Sequence, residues 1–220
     1  MVKSMTEARR VPLFHLHEEV DAGPLLAARA ACRDDPCLSG ARLTFLPFIL
    51  KALSVTAGRH PALSASFDEQ RTELLLRAEH NIGVAIQTPS GLVVPNIKGV
   101  QRKSVSQLAD ELRALQAAAA AGRLAPEQLA GGTLSVSNIG AIGGTYATPM
   151  VSPPEVAILA LGRLRSAPRF GPTGAVEAGV SLSLSWGADH RVLDGATLAA
   201  ASNELKRLLQ APARLLLALK

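Results

Sequence analysis

The chain has 220 residues, of which 48% are hydrophobic and 19% are charged. This balance predicts one globular domain with a sizeable core. The net charge of +5 comes from scattered basic residues, and only 3% of residues are aromatic, which disfavours a nucleic-acid groove because such grooves need clustered cations and stacking rings. Two cysteines, Cys32 and Cys37, are too few for a disulfide framework and predict free thiols. No secretory signal or membrane-spanning run is recognisable.

The first half of the chain predicts helices followed by strands. Residues 1–10 read as the middle of a helix, which suggests a segment of a longer polypeptide. Helices are predicted at 22–31 and at 43–58, where Leu46, Ile49, Leu50 and Leu53 follow helical spacing. Residues 73–97 are rich in β-branched residues and contain a Pro-Ser-Gly turn, a pattern that predicts a meander of three strands.

The second half predicts an alternation of helices and strands. A helix begins at Val105, with Ser104 and Gln107 as a capping box, and ends at Gly122. A short helical turn opens at Pro126, strands follow at 133–137, 155–161 and 180–188, and a last helix spans 196–209. No glycine-rich nucleotide-binding loop is present, so the sequence predicts an α/β or α+β domain without a nucleotide signature.

The segment Ala-Asp-His-Arg-Val-Leu-Asp-Gly, which ends at Gly195, is the strongest candidate for chemistry. It places His190 between charged residues where an apolar strand meets the last helix, and a histidine near its ordinary pKa is a ready general base. The structural alternative is that Asp194 caps the helix and that His190 and Arg191 are satisfied polar residues.

A second candidate is the segment from Ser135 to Thr145, a strand that enters a loop with three glycines. Its backbone could approach a ligand closely, and a hydroxyl at its edge could donate to an oxyanion. The alternative is an ordinary glycine turn. A metal site is disfavoured because the cysteines and histidines lack a zinc-binding spacing. His60, His80 and Trp186 are expected to be structural.

Several segments together resemble the catalytic domain of the dihydrolipoamide acyltransferases of 2-oxo acid dehydrogenase complexes. They cover nearly the whole chain and include HNIGVAI, GLVVPNIK, SVSNIGAIGGTYATP, PPEVAILALGR and ADHRVLDGA. The DHRxxDG signature is shared with the related chloramphenicol acetyltransferases. The resemblance implies a chloramphenicol-acetyltransferase-like two-layer α/β (α+β) sandwich, with helices flanking a mixed sheet, as one catalytic domain over residues 1–220 without the lipoyl and subunit-binding domains of full-length members.

The implied reaction is acyl transfer between dihydrolipoamide, carried on a separate lipoyl domain, and coenzyme A, with no metal. A thiol must become a thiolate to attack, so His190 is expected to act as base, Ser137 as oxyanion donor and Asp194 as a residue that holds the geometry through an ion pair with an arginine. The motifs also imply coenzyme A contacts by Arg29, Thr44, Gln87, Gln116, Ser137, Asn138, Gly162 and Leu164. Gln87 stands where relatives have an acidic residue.

The resemblance further implies trimers with active sites at subunit boundaries, assembled into a cage of about 24 chains. The apolar residues 215–219 are expected to join trimers rather than complete their own core. The implied partners are lipoyl domains, the decarboxylase (dehydrogenase) component and dihydrolipoamide dehydrogenase. Neither a nucleic acid nor a membrane is expected as a partner. The implied location is the mitochondrial matrix of a eukaryote or the cytoplasm of a bacterium.

Among subfamilies, the branched-chain member is the most similar. An acetyl- or succinyl-specific member and a non-catalytic structural core paralogue are the alternatives. Such a paralogue would lack the signature histidine. Antibiotic acetylation is disfavoured because the loop and coenzyme-pocket segments resemble the lipoamide branch.

Overall fold

The fold is described from a computed structural model that covers residues 2–33, 35, 38, 43–89 and 91–218. Cys37 lies outside these residues. The helices are α1 (Val2–Ala8), α2 (Gly23–Ala31), α3 (Leu46–Arg59), α4 (Val105–Ala120), α5 (Pro126–Leu129) and α6 (Gly195–Gln210). The strands are β1 (Leu13–Asp21), β2 (Ser66–Asp68), β3 (Glu73–Leu75), β4 (Ile82–Val84), β5 (Ile86–Thr88), β6 (Gly91–Val93), β7 (Asn96–Ile97), β8 (Leu134–Asn138), β9 (Ala157–Phe170) and β10 (Val176–Asp189). Short 3₁₀ helices lie at Pro61–Ser64, Val100–Arg102, Ile139–Ala141 and Pro212–Ala218.

A six-stranded mixed sheet organises the fold, in the order β1-β10-β9-β8-β4-β7. The β4/β8 and β8/β9 pairs are parallel, whereas β1/β10, β10/β9 and β4/β7 are antiparallel. The mixed α/β fold expected from the sequence is therefore confirmed.

The helices cover one face of this sheet. Alternate residues of β10 point to opposite faces, and Leu182, Leu184 and Trp186 are fully buried toward the helices. The indole of Trp186 donates a hydrogen bond of 3.0 Å to Ser202 of α6, which confirms its structural role. The odd-numbered residues of β10 therefore point to the opposite face of the sheet, the helix-free face.

Local sequence signals placed most helix ends correctly. Ser104 and Gln107 form the expected capping box at the start of α4, and α2, α3 and α6 begin within three residues of their predicted positions. Strands β9 and β10 are longer than predicted because they form a hairpin of 14-residue strands. The helix predicted through residue 10 ends at Ala8.

The predicted three-stranded meander at 73–97 is wrong. The region forms five short strands in three separate sheets. The segment IGVAI at 82–86 divides between β4 and β5 at Ala85, whose amide donates a hydrogen bond to the Val136 carbonyl of β8. LVVPNI divides at Pro95, which has no amide hydrogen to donate to a neighbouring strand.

The C-terminal segment belongs in part to the core of its own chain, contrary to expectation. Leu215 is only 6% exposed and joins the core, whereas Leu216 and Leu217 are 68% and 84% exposed. The 3₁₀ geometry explains this difference because only one residue in three faces the same side. Residue 219 lies outside the described part of the chain.

Candidate active site

His190 is the first residue after β10 and lies in a turn that leads to α6. Its amide donates a hydrogen bond of 2.9 Å to the Pro12 carbonyl, just before β1. The imidazole contacts the Phe14 ring, with centroids 5.0 Å apart, and the residue is otherwise exposed. This histidine is therefore anchored through its backbone while its ring remains accessible to a ligand.

The residues that flank His190 hold the turn in place. Asp189 is 2% exposed, and Arg191 donates to its two carboxylate oxygens, with Nε at 2.9 Å and Nη2 at 2.8 Å. The Arg191 guanidinium also lies 4.5 Å from the Phe67 ring centroid and 3.4 Å from a Glu69 carboxylate oxygen. The hydrogen bond to Asp189 is the largest cause of the raised Arg191 pKa. A bidentate pair of this kind restricts backbone movement on both sides of His190.

Asp194 caps α6, which is the structural alternative considered from the sequence. Its carboxylate accepts a hydrogen bond of 2.7 Å from the Thr197 amide, and that bond lowers the Asp194 pKa. Within the described residues no cation lies within ion-pair distance of Asp194. The expected ion pair with an arginine is made instead by Asp189, because the Asp194 carboxylate is directed at the first amides of the helix.

Ser137 and Asn138 form the carboxyl end of β8. Ser137 pairs with Ala160 of β9, which in turn pairs with Ser185 of β10. Its alternation with the buried Val136 places Ser137 on the helix-free face. The Asn138 Oδ1 atom is buried and has no hydrogen-bond partner among the described residues, so this strand end offers an unused acceptor to a ligand.

The register separates Ser137 from His190 within one chain. Ser137 is level with Ser185, and His190 lies five residues beyond Ser185 on the chain. At about 3.3 Å per residue and about 4.8 Å per strand, the two are about 16 Å apart along the strands and about 10 Å apart across them. One thioester carbonyl cannot contact both residues of the same chain.

The expected coenzyme A residues fall into three regions. Arg29 is half-buried in the last turn of α2, and Thr44 is exposed two residues before α3. Exposed Gln87 on β5 and exposed Gln116 on α4 belong to elements that pack together. Ser137, Asn138, Gly162 and Leu164 lie on the neighbouring strands β8 and β9.

Gly162 is covered by its own chain rather than open to a ligand on the helix-free face. A Cβ atom there would overlap the Thr145 carbonyl, and a Cβ on Gly140 would overlap the Gly162 backbone. These glycines permit close contact between the loop and the strand.

Glu155 is a titratable group near the site that sequence reasoning missed. Burial raises its pKa from 4.5 to about 7, and its carboxylate accepts a hydrogen bond of 2.6 Å from Ser135 on β8. The next residue, Val156, accepts a hydrogen bond from the Asp189 amide. The sequence contained no signal of this burial. The pairing of Asp189 with Arg191 was also missed, although both residues belong to the signature around His190.

His80 is buried and forms a hydrogen bond of 2.8 Å with Ser54. Its burial lowers its pKa, so the expected structural role is confirmed. Across the described ranges, no group of three His, Cys, Asp or Glu side chains could hold a metal ion. Of the helices in the described part of the chain, none is both long and apolar enough to cross a bilayer.

Comparison with known sequences identifies the family of this arrangement. The family profile for the 2-oxoacid dehydrogenases acyltransferase (catalytic domain) matches residues 1–217. The lipoamide acyltransferase component of the mitochondrial branched-chain alpha-keto acid dehydrogenase complex of Bos taurus is 46% identical over all 220 residues, which cover 46% of that protein. The acetyltransferase component of the Staphylococcus aureus pyruvate dehydrogenase complex is 38% identical over 99% of the chain and 50% of that protein. The chain thus spans about half the length of these relatives.

Solved structures agree with the sequence comparison. A dihydrolipoamide acetyltransferase from Azotobacter vinelandii, studied for the catalytic roles of a serine, a histidine and an asparagine, superposes with a TM-score of 0.93 and 32% identity over 98% of this chain and 88% of that one. The asparagine lies four residues after the histidine, and the serine lies 52 residues before it. The cubic core of a pyruvate dehydrogenase multienzyme complex also gives 0.93, at 33% identity over the same shares of the two chains. A chloramphenicol acetyltransferase, at 15% identity and a TM-score of 0.62 over 94% of both chains, shares the fold.

Proposed function

The chain belongs to the 2-oxoacid dehydrogenase acyltransferase family, and on that premise we propose that it transfers an acyl group between a dihydrolipoyl thiol and coenzyme A. The observation that carries the proposal is the His190 turn, in which an accessible imidazole is fixed by the Asp189–Arg191 pair. His190 lies four residues before Asp194, the same spacing as between the catalytic histidine and asparagine of the Azotobacter protein. Ser137 lies 53 residues before His190, against 52 for the serine of that protein.

Each group has a defined part in the reaction. His190 removes the proton from the coenzyme A thiol, and the thiolate attacks the carbonyl of the acyl-lipoyl thioester. Ser137 donates a hydrogen bond to the oxyanion of the tetrahedral intermediate. The intermediate then expels the lipoyl thiolate, which takes the proton back from the His190 imidazolium. Reversal of the same steps transfers the acyl group in the other direction.

The separation of Ser137 from His190 implies that each active site uses two chains. A base and an oxyanion donor must both reach one carbonyl, and the register holds them too far apart within one chain. A neighbouring subunit of a cyclic trimer can supply the second residue. The unused Asn138 acceptor at the Ser137 end supports a coenzyme A contact there, alongside the expected contacts of Arg29, Thr44, Gln87, Gln116 and Leu164.

The acyl group proposed is a branched-chain one, because the branched-chain relative is more similar over the whole chain than the acetyl-specific one. The cubic core of the related complex supports assembly of trimers into a cage that receives lipoyl domains and associates with the decarboxylase and dihydrolipoamide dehydrogenase components. The location would be the mitochondrial matrix in a eukaryote, since the Bos taurus relative is a mitochondrial protein, or the cytoplasm in a bacterium.

Mixed oligomers test the two-chain site directly. His190→Ala and Ser137→Ala chains, each inactive when assembled alone, are co-expressed and purified together. In a random 1:1 cyclic trimer, about a quarter of the sites combine an intact His190 with an intact Ser137, so about a quarter of wild-type activity should return. Variants assembled separately and then mixed are the control. A mixture without activity would refute the two-chain site, and an inactive wild-type assembly would favour a structural core protein.

Acyl specificity is tested by steady-state rates with isobutyryl-, acetyl- and succinyl-coenzyme A against free dihydrolipoamide. The proposal requires the highest kcat/KM for isobutyryl-coenzyme A. A higher value for either of the others would assign the chain to that subfamily instead.

A further inference from the structure

The loop at residues 139–151, which follows Ser137 and Asn138, crosses the helix-free face of the sheet in close contact with two strands. Its Thr145 carbonyl occupies the position of a Cβ on Gly162 of β9, and its Pro149 carbonyl occupies that of a Cβ on Gly187 of β10. The Arg163 amide donates a hydrogen bond of 2.8 Å to Gly144. The middle of the loop therefore lies directly on the sheet backbone.

Tyr146 ties this loop to the edge strand β1. Its hydroxyl donates a hydrogen bond of 2.6 Å to the Glu19 carboxylate, and this bond is the main cause that lowers the Glu19 pKa. Arg165 of β9 lies 2.6 Å from the same oxygen. Tyr146 is the only side chain of the fully described 139–151 loop that forms a hydrogen bond with the sheet.

The neighbouring polar contacts of the loop involve its backbone. The Ala147 amide donates to the Ser185 hydroxyl at 3.3 Å, and His15 Nε2 donates to the Pro149 carbonyl at 3.1 Å. His17 forms a hydrogen bond of 3.0 Å with Ser185 and packs edge-on against the Tyr146 ring. These contacts all lie next to Tyr146, so loss of its hydroxyl would weaken them together.

Between Asn138 and Tyr146 the chain contains Gly140, Gly143 and Gly144, and Gly143 has a φ of +126°. Glycine-rich backbone loses more conformational entropy on ordering than other sequences do. An anchor close to the glycines is needed if the end of β8 is to keep one position.

We propose that Tyr146 and Glu19 are positioning residues that fix the 139–151 loop and thereby the placement of Ser137 at the acyl-transfer site. This role rests on the proposed function, since it assigns Ser137 to the oxyanion. Neither residue needs to touch the substrate. A displacement of Ser137 that leaves the coenzyme A contacts intact lowers kcat and leaves KM almost unchanged, because the oxyanion exists only in the transition state.

The experiment compares Tyr146→Phe, Glu19→Ala, the double variant and Glu19→Gln in the assembled protein. Tyr146→Phe keeps the ring and should lower kcat about three- to tenfold, with KM for coenzyme A and dihydrolipoamide within about twofold. Glu19→Ala should have a similar effect, and the double variant should be no worse than either single one. Glu19→Gln keeps an acceptor for Tyr146 and should retain most of the activity.

Glu18→Ala is the matched control. Glu18 is adjacent to Glu19 on β1 but points to the opposite face, where it pairs with Lys206 of α6. Its replacement removes an ion pair from the same strand without touching the loop, so kcat should remain at the wild-type value.

Hydrogen exchange at the Ala147 amide supplies a readout independent of catalysis. Tyr146→Phe should make this amide exchange about tenfold faster, while exchange in α6 remains unchanged. If Tyr146→Phe makes exchange faster but leaves kcat at the wild-type value, the contact has only a structural role and the proposal is overturned. Unchanged exchange with a raised KM would make Tyr146 a substrate contact and also overturn it. If the wild type transferred no acyl group, the proposed function would fail, while faster exchange would still establish the loop contact.

Discussion

Replacement of Glu155 by Gln tests the most perturbed carboxyl group near the site. Glu155 is partly buried before β9, with Ser135 donating to it at 2.6 Å. Gln has nearly the same size and its carbonyl oxygen can accept the same hydrogen bond. The variant therefore removes the titration with little change in packing.

The size of the effect follows from the pKa of Glu155, which burial raises from 4.5 in the unfolded chain to about 7 in the folded one. The folded protein keeps this proton at pH values where the unfolded chain has lost it. The free energy of unfolding therefore decreases as pH rises from about 4.5 to about 7 and levels off above that range. At about 1.4 kcal/mol per pKa unit, ionised Glu155 costs about 3 kcal/mol of stability at pH 8.

The assay is urea unfolding of both proteins between pH 4.5 and pH 8.5, at one ionic strength and one chain concentration because assembly contributes to apparent stability. The difference between the two proteins cancels the titration of all other groups. Glu155→Gln should equal the wild type near pH 4.5 and exceed it by about 3 kcal/mol at pH 8. Glu127→Gln is the control, because it makes the same substitution at a position that is exposed on α5.

A difference between Glu155→Gln and the wild type that stays constant over this pH range would refute the reasoning. Glu155 would then be solvated enough to ionise at an ordinary pH. A difference that grows as pH falls would show the opposite sign and refute it equally.

Three further predictions concern the active-site turn and the C-terminal segment. Asp194→Asn should keep both stability and at least about a third of kcat, because Asn is an equally good helix cap; a larger loss of kcat in a stable protein would assign Asp194 a part in the reaction. Arg191→Ala should lower the free energy of unfolding by about 3 to 5 kcal/mol, since it leaves the Asp189 carboxylate buried without its partner, and adding Asp189→Asn should recover part of the loss in the same denaturation assay. Leu216→Ser combined with Leu217→Ser should yield folded, active trimers in place of cages, because both side chains are exposed in the single chain; sedimentation that still detects cages would exclude the segment from trimer contacts.

The parts of the fold that depend on a few neighbouring residues could be predicted from the sequence alone. The pair Ser104 and Gln107 predicted the start of α4. For Asp194, which precedes Gly195, the sequence allowed both a role in the active site and a role as the cap of the last helix. These signals were readable because a helix cap satisfies amides only two or three positions away. The motif around His190 likewise identified the candidate base, since its function depends on a side chain whose ordinary pKa is already near neutral.

Only the tertiary structure decided which residues meet across long sequence separations. The contact of Arg191 with the Phe67 ring, the burial of Glu155, the coverage of Gly162 by the loop and the inward position of Leu215 depend on elements that approach one another in the folded chain. Local propensity carries no information about such contacts, because burial and register are set by packing between distant segments. The same physical reason explains why the sequence named both His190 and Ser137, whereas the sheet register determined that one chain cannot bring them to the same carbonyl.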